Sequence, residues 1–298
     1  MSRIIASIYI ILFWVLHSYA QEWSTHWISY PLPNDSSEVF FCHTYLSSHK
    51  PQQAFLSFAS SGRLRIFVNE RNISRDIVFN NPDTSVVTLQ TYEVTNYLRT
   101  DSNIIAVWYA PEKDSNMSKQ LSLEYYGTDD KGKDFYHKAD GTWFCKRVEG
   151  CYVKEQNEWF DARQYDNNWK ATDGDRSNWL HPLGAFSSTK IQKTSSAPYL
   201  NKNYKLKNLL YPICTSVQKN EQTYDFGRVF EGTPRATIRD AHKGCVIEMD
   251  GLTYTCNGEM DEQAFRRFTS SSCSRLSIRA DQNFKKEQIT NVEGLEYE

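Results

Sequence analysis

Apolar and polar residues alternate along this chain with a period of two. In QLSLEYY (120–126), Leu121, Leu123 and Tyr125 share one side, with Ser122 and Glu124 on the other. RLRIFVN (63–69) sets Leu64, Ile66 and Val68 against Arg65, Phe67 and Asn69, and SRLSIRA (274–280) sets Leu276 and Ile278 between Arg275, Ser277 and Arg279. Successive side chains of a strand point to opposite faces, so this pattern predicts half-buried antiparallel strands. NIIAVWYA (103–110) is continuously apolar and predicts a central strand covered on both faces. A sustained 3.6-residue period is missing, and MDEQAFRRF (260–268) predicts one or two helical turns at most. The fold class is therefore all-β, built of antiparallel β-sandwiches.

FSSTKIQKTSSAP (186–198) interrupts the pattern with a polar, serine-rich stretch closed by Pro198, and NKNYKLKN after it has no clear period. This predicts a first sandwich over residues 21–186, a linker over 187–214 and a second, smaller sandwich over 215–298. At that size the second is expected to pack against the first.

At the N-terminus, Arg3 precedes an apolar run from Ile4 to Leu16, followed by small residues at Ser18 and Ala20. That is the pattern of a secretory signal peptide over residues 1–20, cut before Gln21. The run is shorter than the roughly 20 residues that span a bilayer, and no later segment is a transmembrane candidate. The expected location is secreted or periplasmic. Lysine and arginine total 34 against 36 acids, so no basic field exists to neutralise phosphates and nucleic acid is excluded as a partner. Seven cysteines leave at least one unpaired; Cys145/Cys151 and Cys245/Cys256 are spaced as hairpin neighbours, and bridged or buried-thiol readings both stand. There is no CxxC, HxH or HExxH, which argues against a zinc site.

The chemistry concentrates in EWFDARQYDNNWK, residues 158–170. Carboxylates, amides and arginine bond sugar hydroxyls, and aromatic faces stack on pyranose rings. Glu158 and Asp161 are three apart, so in a strand they point to opposite faces and make a poor glycosidase pair. Asp161 shares a face with Arg163 and is expected to pair with it. Trp143, Trp159, Trp169 and Trp179 are each read first as core, since an indole is a large apolar group, and second as sugar platforms. ATDGDRSN (171–178) carries Asp173, Asp175 and Asn178 around a glycine but lacks EF-hand spacing and reads as a solvated turn. No GxSxG, cysteine–histidine pair or glycine-rich phosphate loop is present.

HWISYP (26–31), FFCHTYLS (40–47), GRLRIFVNERNIS (62–74), TYEVTNYLRTDSNIIAVWYA (91–110), EWFDAR (158–163) and YDFGRVFEG (224–232) occur in this order. The ordered series resembles the N-terminal β-sandwich region of bacterial α-L-rhamnosidases. The resemblance implies a jelly-roll sandwich of galactose-binding-like type, related to rhamnose-binding modules that can use calcium, then a second sandwich. It also implies an (α/α)6 barrel carrying the catalytic acids, which has no counterpart here, so no catalytic residue is assigned. Glu158, Asp161 and Arg163 match the family's Glu-x-Tyr-Asp-Ala-Arg motif, with Phe160 in place of tyrosine. Asn69 matches the asparagine of its Asn-Gly turn, and Glu70 stands where the glycine would relieve a positive φ. The candidate carbohydrate-binding residues are Glu158, Trp159, Asp161, Arg163, Trp169 and Asn69. No metal ligands are assigned, and calcium is the cofactor the resemblance raises. The leading function is a secreted glycan-binding accessory protein without catalysis. The alternatives are the N-terminal part of a split or truncated α-L-rhamnosidase-like glycoside hydrolase, with catalysis in a separate domain or chain, and a structural or interaction sandwich with no sugar ligand.

Overall fold

A computed structural model describes residues 26–32, 37–74, 86–111, 119–185, 190–192, 206–218, 221–282 and 284–297. The expected signal peptide lies outside them. Among the described residues there is no α-helix, and no helix is long and apolar enough to cross a membrane.

The described residues form three large sheets and a two-stranded parallel one, Val86–Thr88 with Lys190–Gln192. The first runs Leu183–Ala185, Trp27–Ser29, Gln120–Thr128, Gln53–Ser60 and Gln90–Glu93, with Asp134–Lys138 also paired to Gln120–Thr128. The second runs Phe144–Arg147, Val39–Leu46, Ser102–Ala110, Arg63–Val68 and Arg71–Asn72. The third has ten strands, centred on the long Glu221–Arg239 between Ser271–Ala280 and Ile289–Tyr297. All pairings within the first two sheets are antiparallel.

The second sheet is sandwiched between two cores, and its sequence explains why. Val39, Phe41, Leu64, Ile66, Val68, Ile105, Val107 and Tyr109 join Leu56, Leu121 and Leu123 of the first sheet. Their neighbours Phe40, Cys42, Phe67, Ile104, Ala106 and Trp108 join Phe160, Tyr254, Phe268 and Ile278 on the side of the third sheet. A strand between two cores needs apolar residues at every position, which is why NIIAVWYA does not alternate. Phe67, expected on the polar side of its strand, instead packs edge-on to Trp169 at 5.3 Å.

One expectation is corrected. Asp261–Phe265 is not helical but a strand on Glu221–Arg239, with Glu262 and Ala264 inward and Gln263 outward. The buried Glu262 carboxylate accepts from the Asn257 and Gly258 amides at 2.8 and 2.9 Å and from the Tyr254 hydroxyl at 3.1 Å, so the strand tolerates an inward acid. Leu206–Leu210 is an edge strand of the third sheet, and Cys151–Lys154 and Asn157–Asp161 belong to that sheet too. Asn157–Asp161 runs parallel to Leu252–Thr255, pairing Glu158 with Leu252 and Asp161 with Thr255.

Candidate functional site

The strands Cys151–Lys154 and Asn157–Asp161 form a hairpin around Glu155, which adopts φ 55. Its two-residue turn puts Tyr152 opposite Trp159, and the alternation inside Asn157–Asp161 sends Glu158 and Phe160 inward and Trp159 and Asp161 outward. The parallel register then sets Thr253 beside Trp159 and Thr255 beside Asp161. These outward residues line a cleft of about 300 Å³, completed by Ser37, Arg147 and Gly150.

Aromatic and charged groups meet there. The rings of Tyr152 and Trp159 stack with centroids 4.4 Å apart at 8°, and Tyr152 is 39% exposed. Asp161 is bound by Arg163 in a bidentate pair, Nε to Oδ1 at 2.8 Å and Nη2 to Oδ2 at 2.7 Å, and Gln164 donates to Oδ2 at 2.8 Å. Arg163 and these bonds hold the Asp161 carboxyl down to about 2, so it is a carboxylate throughout the physiological range.

Glu158, three residues earlier, faces the opposite way and does other work. Its Oε1 accepts from the Phe268 and Thr269 amides at 2.7 and 2.6 Å and from the Thr269 hydroxyl at 2.7 Å; its Oε2 accepts from the Arg267 amide at 2.6 Å. From the other side, Arg63 donates to the Phe268 and Glu155 carbonyls at 3.5 and 3.2 Å, and Arg65 to the Arg267 carbonyl. The segment 267–269 is thus clamped between the second and third sheets. Glu38 is buried nearby, accepting from the Trp108 indole at 2.6 Å; burial and the neighbouring Glu158 charge push its carboxyl up to about 8.

Three candidate residues lie buried, away from the cleft. Glu158 is only 4% exposed and spends its oxygens on backbone amides, leaving it out of the cleft. Trp169 has 0% exposure: it stacks on Phe40 at 4.0 Å and donates to the Tyr165 hydroxyl at 2.8 Å, so no sugar can reach its face. Asn69, 3% exposed, donates to the Tyr97 carbonyl at 2.8 Å and the Asn103 side chain at 2.7 Å, and accepts from the Ile104 amide at 3.1 Å. It is a structural corner, and Asn69 and Glu70 both keep positive φ, 48 and 70, despite the missing glycine. Trp159, Asp161 and Arg163 remain on the outer face. Tyr152, Thr253 and Thr255 were not among the sequence candidates. Tyr152 could have been found from its position opposite Trp159 across the turn, but Glu155–Gln156 is not a turn signature. The threonines depend on a parallel register that no local pattern reveals. In 171–178, Asp175 caps Ser177 with both oxygens, the arrangement of an ordinary turn.

The protein is thus an all-β sandwich whose outer sheet carries an aromatic–polar cleft. Its fold is shared with α-L-rhamnosidases. It superposes on the enzyme from Dictyoglumus thermophilum with TM-score 0.75, 17% identity, and coverage of 93% of this chain and 36% of that one. For the Aspergillus terreus enzyme the values are 0.73, 14%, 93% and 36%, and for the Streptomyces avermitilis enzyme complexed with L-rhamnose 0.71, 19%, 89% and 29%. The chain thus spans about a third of the length of these enzymes. No family model and no curated protein sequence matches it.

Proposed function

We propose that this chain is a carbohydrate-binding accessory protein of α-L-rhamnosidase type, acting outside the cytoplasm and holding a rhamnose-containing or related glycan without cleaving it. The observation that carries this reading is the stacked Tyr152–Trp159 pair and the Asp161–Arg163 pair on one outer face, with Thr253 and Thr255 lining the same cleft as Tyr152, Trp159 and Asp161. The aromatic pair offers a sugar a flat apolar face. The carboxylate, guanidinium and hydroxyls offer both acceptors and donors to its ring hydroxyls. Hydrolysis by these residues is disfavoured, because Glu158 and Asp161 lie on opposite faces and cannot flank one glycosidic bond.

Titration calorimetry of the protein with L-rhamnose and rhamnose-containing oligosaccharides, with calcium and then with a chelator, tests the proposal. Saturable binding that Trp159→Ala abolishes and Trp169→Phe retains is expected. Silence in both conditions removes the reading. The coverage of about a third of each rhamnosidase favours a second reading, in which catalysis sits in a separate domain or chain. Aryl-rhamnoside hydrolysis that needs a second polypeptide would distinguish it.

A further inference from the structure

Residues His242, Lys243, Gly244 and Cys245 form a turn closed by the Cys245 amide on the His242 carbonyl at 3.0 Å. Gly244 takes φ 89, a conformation that costs a glycine little. The turn leads into the hairpin of Val246–Met249 and Leu252–Thr255, whose base is held by Cys256 N–H on the Cys245 carbonyl at 2.8 Å and Gly244 N–H on the Cys256 carbonyl at 2.9 Å. On the other side, Ile247 pairs with Ala280, which brings Asp281 beside Val246. Asp281 is braced there twice: its amide donates to the Val246 carbonyl at 3.3 Å, and its Oδ2 accepts from the Val246 amide at 3.4 Å.

The result is a convergence of three different donors. One ligand atom each from His242, Cys245 and Asp281 lies within 4.8 Å of the other two. The His242 Nε2 to Asp281 Oδ2 separation is 3.6 Å. Two ligands of a tetrahedral zinc ion, at about 2.0–2.2 Å each, stand roughly 3.4 Å apart. Cys245 is buried, whereas the side chains of His242 and Asp281 are 49% and 33% exposed, so the cluster has a closed floor and an open mouth. Imidazole and thiolate select a borderline-soft cation and reject calcium or magnesium, which take oxygen ligands.

We propose that His242 Nε2, Cys245 Sγ and Asp281 Oδ2 form a zinc-binding site, with the fourth position open to water. Binding transfers the Cys245 thiol proton to solvent and leaves a zinc–thiolate bond with no change of oxidation state. The ion ties the turn 242–245 to the end of the strand Ser271–Ala280, so zinc raises the thermal stability of the chain. The sequence argues against zinc because it holds no CxxC or HExxH. The HxxC turn needs a third ligand supplied from a distant strand. Cys256, opposite Cys245, supplies the competing chemistry, since a Cys245–Cys256 disulfide would consume the thiolate.

The test is titration of the reduced, full-length chain with zinc by calorimetry and with cobalt(II) by absorption. One equivalent per chain, a thiolate-to-cobalt charge-transfer band and the d–d intensity of four-coordination are expected. Cys245→Ser should abolish the charge-transfer band. His242→Ala and Asp281→Asn, at half-exposed positions where folding is retained, should each weaken zinc binding at least tenfold. Cys256→Ala, which removes the disulfide option, should keep both signals. The proposal is overturned by absent zinc binding in the reduced chain, by unchanged affinity in the His242 and Asp281 variants, or by purified protein lacking two hydrogens with Cys245 and Cys256 bridged. None of these readouts uses a sugar, so the glycan-binding proposal stands or falls separately.

Discussion

Glu38 and Asp161 respond to pH in opposite senses. Glu38 titrates near 4.5 when unfolded and about 8 when folded, because burial and the nearby Glu158 charge disfavour its ionised form. The folded state therefore holds this proton where the unfolded state releases it. The stabilising contribution is complete below about 4.5 and is lost as pH rises through about 8. Denaturation midpoints measured from pH 5 to 9 should fall, and Glu38→Gln should flatten that slope. Asp161, lowered from 3.8 to about 2 by Arg163, contributes stability above 3.8 that is lost as pH falls through about 2. The pair is partly exposed, with side chains 13% and 41% accessible, so the acid effect is small. Glu158→Ala removes the acceptor of four hydrogen bonds to 267–269 and should cost about 2–4 kcal/mol in urea unfolding. Trp169→Ala, in the core, should cost about 3–5 kcal/mol, whereas Trp159→Ala should cost far less and act on ligand binding. That contrast was not legible in the sequence. Both tryptophans sit in polar surroundings, and only the fold of the irregular segment 165–180 under Phe40 buries one of them.

At the scale of elements, the period-two reading located the strands because one face of most of them is wet. Leu121, Leu123 and Tyr125 line the first core as their alternation implies. The reading fails where a second layer covers the wet face, as at Phe67, or where a buried acid sits on an inward position, as at Glu262. The loop at Asn69 and Glu70 offers a stability test. Its positive φ at both positions is costly for glutamate, by about 1 kcal/mol. Glu70→Gly should therefore raise the melting temperature by a few degrees, and loss of stability would show that the Glu70 side chain contributes more than the backbone strain.

For the whole molecule, the second sheet shares one core with the first and another with the third. Separating the chain at residues 187–214 would strip Trp108 and Phe160 of their partners Phe268 and Tyr254 and expose that core on both fragments. Calorimetry of the intact protein should show a single transition, and residues 215–298 alone should lack a cooperative melt. The first half of the sequence thus reads as a self-contained sandwich in its pattern but not in its packing. Pattern records which faces are apolar, not which distant strand covers them. The parallel pairing of Glu158 with Leu252 has a consequence in time. The hairpin that carries Tyr152 and Trp159 is made early, but its sheet neighbour arrives only after the next long stretch of chain has been synthesised. Until then Glu158 has no amides to bind and the cleft has no Thr253 or Thr255. A nascent chain paused in between would present an open strand edge, a natural target for a holding chaperone.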